Sequence, residues 1–156
     1  MYRISIQRAT RKAKAPDAAD LRRYAKLAIS SVMPAAEVTI RIVNETEMLK
    51  LNSYYRKKDY ATNVLSFPFS EPDEIEQDIP MLGDIVICAA VVNAQAKAQH
   101  KTEKAHWAHM VVHGCLHLLG YDHENDADAE VMESLETTLL KQLRFKDPYT
   151  KKGREK

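Results

Sequence analysis

Glu103-Lys104-Ala105-His106-Trp107-Ala108-His109-Met110-Val111-Val112-His113-Gly114-Cys115-Leu116-His117-Leu118-Leu119-Gly120-Tyr121-Asp122-His123 is the stretch on which the reading of this chain turns. Trp107, Met110, Val111, Val112, Leu116, Leu118 and Leu119 fall on nearly every side of a helical repeat, and a helix that is apolar all round belongs at the centre of a domain. The pattern predicts a buried helix from Glu103 to Leu119 with the other elements arranged about it. Gly120 stands where that helix should stop, since glycine takes the left-handed conformation of a C-terminal cap without a side-chain clash.

Working outward, Ala89 to Gln99 reads as a helix separated from the central one by the polar break His100-Lys101-Thr102. Leu82 to Ile87 reads as a strand, and Val64 to Phe69 as a shorter one in which Pro68 predicts an edge position or an early end to pairing. Tyr2 to Gln7 alternates like a strand. Pro16-Asp17 opens a helical pattern carrying Leu21, Tyr24, Ala25, Ala28 and Val32, which stops near Pro34. Val38, Ile40 and Ile42 alternate with Thr39, Arg41 and Val43 in a second strand that ends at Asn44. Asn44 and Glu47 form a capping pair, the asparagine accepting from first-turn amides while the glutamate reaches back, so a helix should run from Glu45 to Tyr55 and deliver Arg56 at its end. Asp126 to Leu143 forms the last helix, and about 147–156 reads as a frayed basic tail. No repeat or boundary divides the chain, and one domain over 1–156 is expected.

Hydrophobic residues make up 45% of the chain and charged residues 29%, and the four glycines and six prolines are too few for a low-complexity sequence. No apolar run approaches the roughly 20 residues that span a bilayer, and the opening residues alternate instead of building a signal-peptide core, so a cytoplasmic protein without membrane contact is expected. Cys88 and Cys115, without regular spacing partners, read as buried reduced thiols. A net charge of +1 gives no global electrostatic case for nucleic acid. The charges are nevertheless grouped: Arg8, Arg11, Lys12 and Lys14, the compact Arg56-Lys57-Lys58, and the tail Lys151, Lys152, Arg154 and Lys156 are basic. Glu71, Asp73, Glu74, Glu76 and Asp78, and then Glu124, Asp126, Asp128, Glu130, Glu133 and Glu136, are acidic blocks that read as solvated loops or helix faces.

His113 and His117 lie one helical turn apart on one face, so both imidazoles can point at one ion. A continuing helix would carry His123 to another face, but a stop at Gly120 lets the chain turn and bring it back. Three neutral imidazoles leave a tetrahedral ion one position for water or substrate, the arrangement of a catalytic site, whereas structural zinc usually has four protein ligands. The expected cofactor is one divalent ion per chain, zinc by preference. His100, His106 and His109 lack this spacing, and His106 and His109 read as packing residues or hydrogen-bond partners behind the ligands. Cys115 points away from the His113–His117 face.

The spacing resembles the HExxHxxGxxH motif of the metzincin metalloproteases, with the histidines and the glycine in register. The position of their catalytic glutamate is Gly114, which argues against peptide hydrolysis by that mechanism. His113 to His123 as a whole resembles the HGxLHLxGYDH signature of the YbeY family of bacterial endoribonucleases and ribosomal RNA maturation factors. Asn52-Ser53-Tyr54-Tyr55-Arg56-Lys57-Lys58-Asp59 with Thr62-Asn63-Val64-Leu65-Ser66-Phe67-Pro68, Leu82-Gly83-Asp84-Ile85 and Ala105-His106-Trp107-Ala108-His109 are similar to further segments of that family. The resemblance implies a single-domain α/β (α+β) fold, a small mixed sheet packed with about five helices, and a zinc-type site on His113, His117 and His123. It also implies cleavage of single-stranded RNA in maturation of the small-subunit ribosomal RNA 3′ end and in ribosome quality control, with the ribosome or small-subunit proteins as partners.

The resemblance makes Arg56 a catalytic residue near the metal, a role suited to a guanidinium fork that binds phosphate and keeps its charge. Without it, Arg56 reads as a helix-end residue complementing the macrodipole. Lys57 and Lys58 are expected to attract the RNA backbone. The general base is left open between metal-activated water alone, Asp122, Asp84 and a ribose hydroxyl, with Asp122 preferred as an acceptor behind a ligand imidazole. Two other readings stand beside this one: a ribosome-assembly factor with a chiefly structural metal, and a metallopeptidase-like hydrolase.

Overall fold

Alternating apolar residues and strong N-terminal caps set nine elements in the computed structural model, which describes residues 1–69 and 79–149. They are β1 (Tyr2–Arg8), α1 (Ala18–Ser30), β2 (Ala36–Val43), α2 (Glu45–Arg56), β3 (Val64–Pro68), β4 (Met81–Cys88), α3 (Ala89–Ala98), α4 (Glu103–Leu118) and α5 (Asp126–Gln142). The side chains of Asn44, Thr102 and Asn125 accept from the amides of Glu47, Ala105 and Asp128, satisfying donors that a helix start leaves free. The reciprocal half of the Asn44–Glu47 pair does not form. Glu47 instead takes both prongs of Arg41, at 2.8 and 3.2 Å, because a guanidinium one strand away is a stronger partner than a backbone amide.

The strands form a mixed sheet in the order β1-β2-β4-β3. β1, β2 and β4 run parallel, and β3 lies antiparallel to β4 at the edge. Pro68 stands opposite Gly83 near the end of β3, at a position where the edge strand needs no donor towards β4, and the ladder closes with Phe69 N–H donating to Leu82 O at 2.9 Å. The two sheet faces carry separate apolar clusters. Val38, Ile40, Ile42, Ile85 and Ile87 pack with α1, α4 and α5, whereas Val43, Leu65, Val86 and Cys88 pack with Met48 of α2.

α4 occupies the centre, with Trp107, Val111, Val112, Cys115 and Leu116 fully buried. The buried indole is satisfied by donating to Asn93 Oδ1 at 2.7 Å. At Gly114 this helix meets the sheet closely: a Cβ there would stand 2.9 Å from Cγ2 of Ile85, and its carbonyl accepts from Ser66 Oγ at 3.1 Å. Both cysteines are free and buried, and burial pushes the Cys115 thiol up to about 12. Among the described residues no helix is long and apolar enough to cross a membrane. The acidic stretch from Glu71 to Asp78 and the basic tail Lys151, Lys152, Arg154 and Lys156 lie outside the described residues.

Gly114→Leu should destabilise the fold by about 1–3 kcal/mol through overpacking against Ile85, read as a lower urea midpoint at unchanged slope. Gly114→Ala should stay within about 1 kcal/mol of the parent, because its gain in helix propensity offsets the small displacement of Ile85. Equal stability of the Leu variant would show that the helix–sheet contact is loose.

Candidate functional site

A helix buried on most sides has one stripe left for polar groups, and His106, His109, His113 and His117 occupy it on α4. His113 and His117 bring their Nε2 atoms to 3.1 Å. The helix then ends in a double hydrogen-bonded cap, with Gly120 N–H donating to His117 O and Tyr121 N–H to Leu116 O, both at 3.0 Å. Gly120 has a φ of +104°, the glycine-favouring region that the sequence required of it. The turn returns His123 until its ring centre is 5.0 Å from that of His117 and 5.6 Å from that of His113. One ligand nitrogen from each of His113, His117 and His123 lies within 4.8 Å of the others.

The chemistry of this donor set suits a cation. Burial, and then the neighbouring His113 and His123, lower the His117 pKa, which favours the neutral ring that a metal needs. His113 Nδ1 lies 2.6 Å from Glu136 Oε2, so its proton is held there and the Nε2 lone pair faces the other histidines. Among the described residues, the three imidazoles are accompanied by no fourth protein ligand within the same group.

Glu136 is the residue that sequence reasoning missed. It is completely buried, and both of its oxygens are used: Oε2 by His113, and Oε1 by His109 Nε2 at 2.8 Å and by the Tyr149 hydroxyl. Burial alone would raise the carboxyl pKa, but the hydrogen bonds and charges of His109 and His113 outweigh it and hold the group at about 2. The acidic-block reading fits its exposed neighbours Glu124, Asp126, Asp128, Glu130 and Glu133 and fails for this one. The signal was present: Glu136 is in register with Met132, Leu139 and Leu140, the buried stripe of α5.

Asp122, preferred from sequence as the acceptor behind a ligand ring, instead accepts from the His123 backbone N–H at 2.7 Å and so shapes the turn. His109 does stand behind a ligand, through Glu136, and His106 binds Gln95. The beginning of the expected frayed tail is tied down: Asp147 accepts from Thr137 Oγ1 at 3.2 Å and from Tyr149 N–H at 2.7 Å, which sets Tyr149 against His109 and Glu136. Residues 150–156 lie outside the described residues.

The histidines open into a cavity of about 630 Å³ whose wall also includes Arg56, Asn63, Ser66 and Asp122. The end of α2 thus delivers Arg56 to the same space. Lys57 and Lys58 are exposed and do not line it; Lys57 turns the chain out of α2 with a φ of 59°. Asp84, a candidate base from sequence, is exposed beside Arg41 and Glu47 in a separate depression on the other face of the sheet, away from the histidines.

Residues 4–144 match the family model described as Endoribonuclease YbeY. The chain is 58% identical over 149 residues to an endoribonuclease YbeY of Pseudomonas putida strain F1, covering 96% of this chain and 94% of that one. It is 57% identical to the corresponding protein of P. putida KT2440 and 55% identical to that of Pseudomonas entomophila, with the same coverage. Its fold is similar to the solution structure of a Thermotoga maritima protein, with a TM-score of 0.58 and 24% identity over 97% of this chain and all of that one.

Two substitutions probe the geometry without touching a ring. Gly120→Val, whose branched side chain resists positive φ, should misplace His123 and weaken divalent-ion affinity in a folded protein. Wild-type affinity in that variant would refute the turn's role. Glu136→Gln should lower affinity about 10–100-fold, since it removes the charged acceptor that fixes His113. Titration with zinc or cobalt checks both, and an unchanged constant for Glu136→Gln would leave that carboxylate as packing only.

Proposed function

The chain belongs to the YbeY family of endoribonucleases, and from that membership we propose that it is a metal-dependent, single-strand-specific endoribonuclease of ribosomal RNA maturation. The observation that carries this is the meeting of three imidazole ligands and one guanidinium in a single open cavity. Metal ligands alone would fit many hydrolases. A permanent cation capable of a planar two-pronged grip on phosphate narrows the substrate to a phosphodiester.

We assign His113, His117 and His123 as the ligands of one ion, and zinc as the ion, because three imidazoles with an open position are a catalytic zinc donor set. Such an ion, when bound, supplies Lewis-acid polarisation of a phosphoryl oxygen and activation of water near neutral pH. The protein's own groups do the rest. Glu136 keeps the His113 proton on Nδ1 and its lone pair forward, and the Gly120 turn places His123. Arg56 grips the scissile phosphate and offsets the charge that grows on it. Asp122, on the cavity wall, is placed to exchange a proton there, whereas Asp84 is not.

Lys57 and Lys58 lie outside the cavity beside Arg56, where they attract the backbone of the strand. The ring of Tyr54 is exposed on the same helix end, and unpaired bases can stack on such a surface whereas a duplex cannot offer them. The substrate setting we assign is the 3′ end of small-subunit ribosomal RNA in the cytoplasm, with the ribosome or its small-subunit proteins as partners, and a role in ribosome quality control. A peptidase reading is disfavoured by Gly114, which is packed on Ile85 and does not face the histidines as a base would.

Arg56→Ala should keep its fold and about one ion per chain, yet lose most cleavage of a short single-stranded RNA. Arg56→Lys should recover little, since lysine keeps the charge without the fork, while Lys57→Ala and Lys58→Ala should weaken binding and lower its salt dependence. Cleavage kinetics with parallel metal analysis read the result. Wild-type turnover by metal-loaded Arg56→Ala would return Arg56 to a helix-end role, and hydrolysis of casein but not RNA by the parent would overturn the nuclease reading.

A further inference from the structure

Beyond Tyr149 and His109 the histidine cavity adjoins a second one, of about 470 Å³, and the two share Asn63, His109, Met110 and Tyr149 as a common wall. Its lining includes Gln95, Gln99 and His100-Lys101 from the end of α3 and the break before α4. A chain of hydrogen bonds orders this wall, and its direction can be deduced from one backbone group. Val64 N–H can only donate, and it donates to Asn63 Oδ1 at 2.6 Å. Asn63 Nδ2 is therefore the donor to Gln95 Oε1 at 3.1 Å. The same oxygen faces His106 Nε2 at 3.0 Å, so that ring nitrogen carries the proton. His106 is held neutral, its pKa lowered to about 4 by burial and then by Lys101 and His109, which leaves the network a single tautomer. With both acceptor directions of Gln95 Oε1 taken, the amide cannot flip, and Gln95, which lines the cavity, keeps its Nε2 as a donor.

We propose that this second cavity is a nucleotide subsite, in which Gln95 Nε2 donates a hydrogen bond to the base adjoining the scissile phosphate and so selects bases that offer an acceptor there. The proposal rests on the RNA-cleaving reading of the histidine cavity. The shared wall sets the second space next to the one that Arg56 lines, so the nucleotide adjoining a phosphate gripped at Arg56 has that space beside it. A part-buried network with fixed hydrogen-bond directions that ends in an amide on a cavity wall is the arrangement of a reading group, because a donor that cannot flip cannot become an acceptor to suit another base.

The test uses the zinc-loaded protein and single-stranded RNAs that differ only in the base on either side of the cut. The parent should show about a tenfold preference in kcat/KM at one flanking position, the discrimination expected of one well-placed base contact. Gln95→Glu retains an oxygen for Asn63 and His106, converts the remaining amide nitrogen to an acceptor and adds one negative charge. It should keep its metal content and shift the preference at that same position towards cytosine or adenine, whose amino groups donate. Gln95→Leu should flatten the preference at that position to within about twofold. An unchanged base profile in a folded Gln95→Glu protein, or a parent profile flat at both positions, would overturn the subsite. Failure of the parent to cleave any of these RNAs would instead sink the nuclease reading.

Discussion

The pairing of one buried carboxylate with two imidazoles, Glu136 with His109 and His113, is the interaction on which the site depends. A charge with no solvent contact is stabilised only by donors on both oxygens, and here those donors are the rings that α4 turns towards α5. The same bonds do two things at once. They satisfy the carboxylate, and they fix which nitrogen of His113 faces His117 and His123. Packing of α5 on α4 and orientation of the His113 ring are therefore one event, and the apolar residues Met132, Leu139 and Leu140 that bury α5 hold the geometry of the histidine cluster as well as the core.

α4 can carry this because its remaining surface is committed to the core. Trp107, Val111, Val112, Cys115 and Leu116 fix its rotation against the sheet, and Gly114 fixes its distance. A larger residue at 114 would lift the helix and move His113 with it. The glycine in the position of a protease's glutamate is thus a consequence of how closely this helix meets Ile85, and the base of a peptidase would have to displace the sheet to fit there.

How much of this was legible in the sequence follows from the range of the forces involved. The elements came through because alternation, helical periodicity and caps such as Asn44 are local; most ends differed from expectation by a residue or two, while α1 stops at Ser30, short of the expected Pro34, and leaves Val32 exposed outside it. His113, His117, Gly120 and His123 were legible as a unit because helical spacing and a glycine turn are local too. The partner of His113 was not. Asp122 was the near carboxylate in sequence, and Glu136 the near one in space, brought in by a helix whose direction no local pattern states. The place of Asp84 was hidden for the same reason: it lies in a separate depression, away from the histidines. Arg56 was named by resemblance, and its place on the cavity wall is the tertiary fact that spacing could not supply.

The hydroxyl of Tyr149 on Glu136 has a consequence for the order in which the chain is made. Synthesis runs from the N-terminus, and domains generally fold as units once their residues are free. All three ligand histidines leave the ribosome before the carboxylate that orients His113, and before the tyrosine that closes over it. Until Glu136 has cleared, nothing fixes the proton of His113, and until Tyr149 follows, Oε1 of that carboxylate lacks one of its two donors. The finished geometry of the histidine cluster therefore waits on residues made after all three rings, and a chain that stopped short of Glu136 would carry the histidines without the carboxylate that orients them.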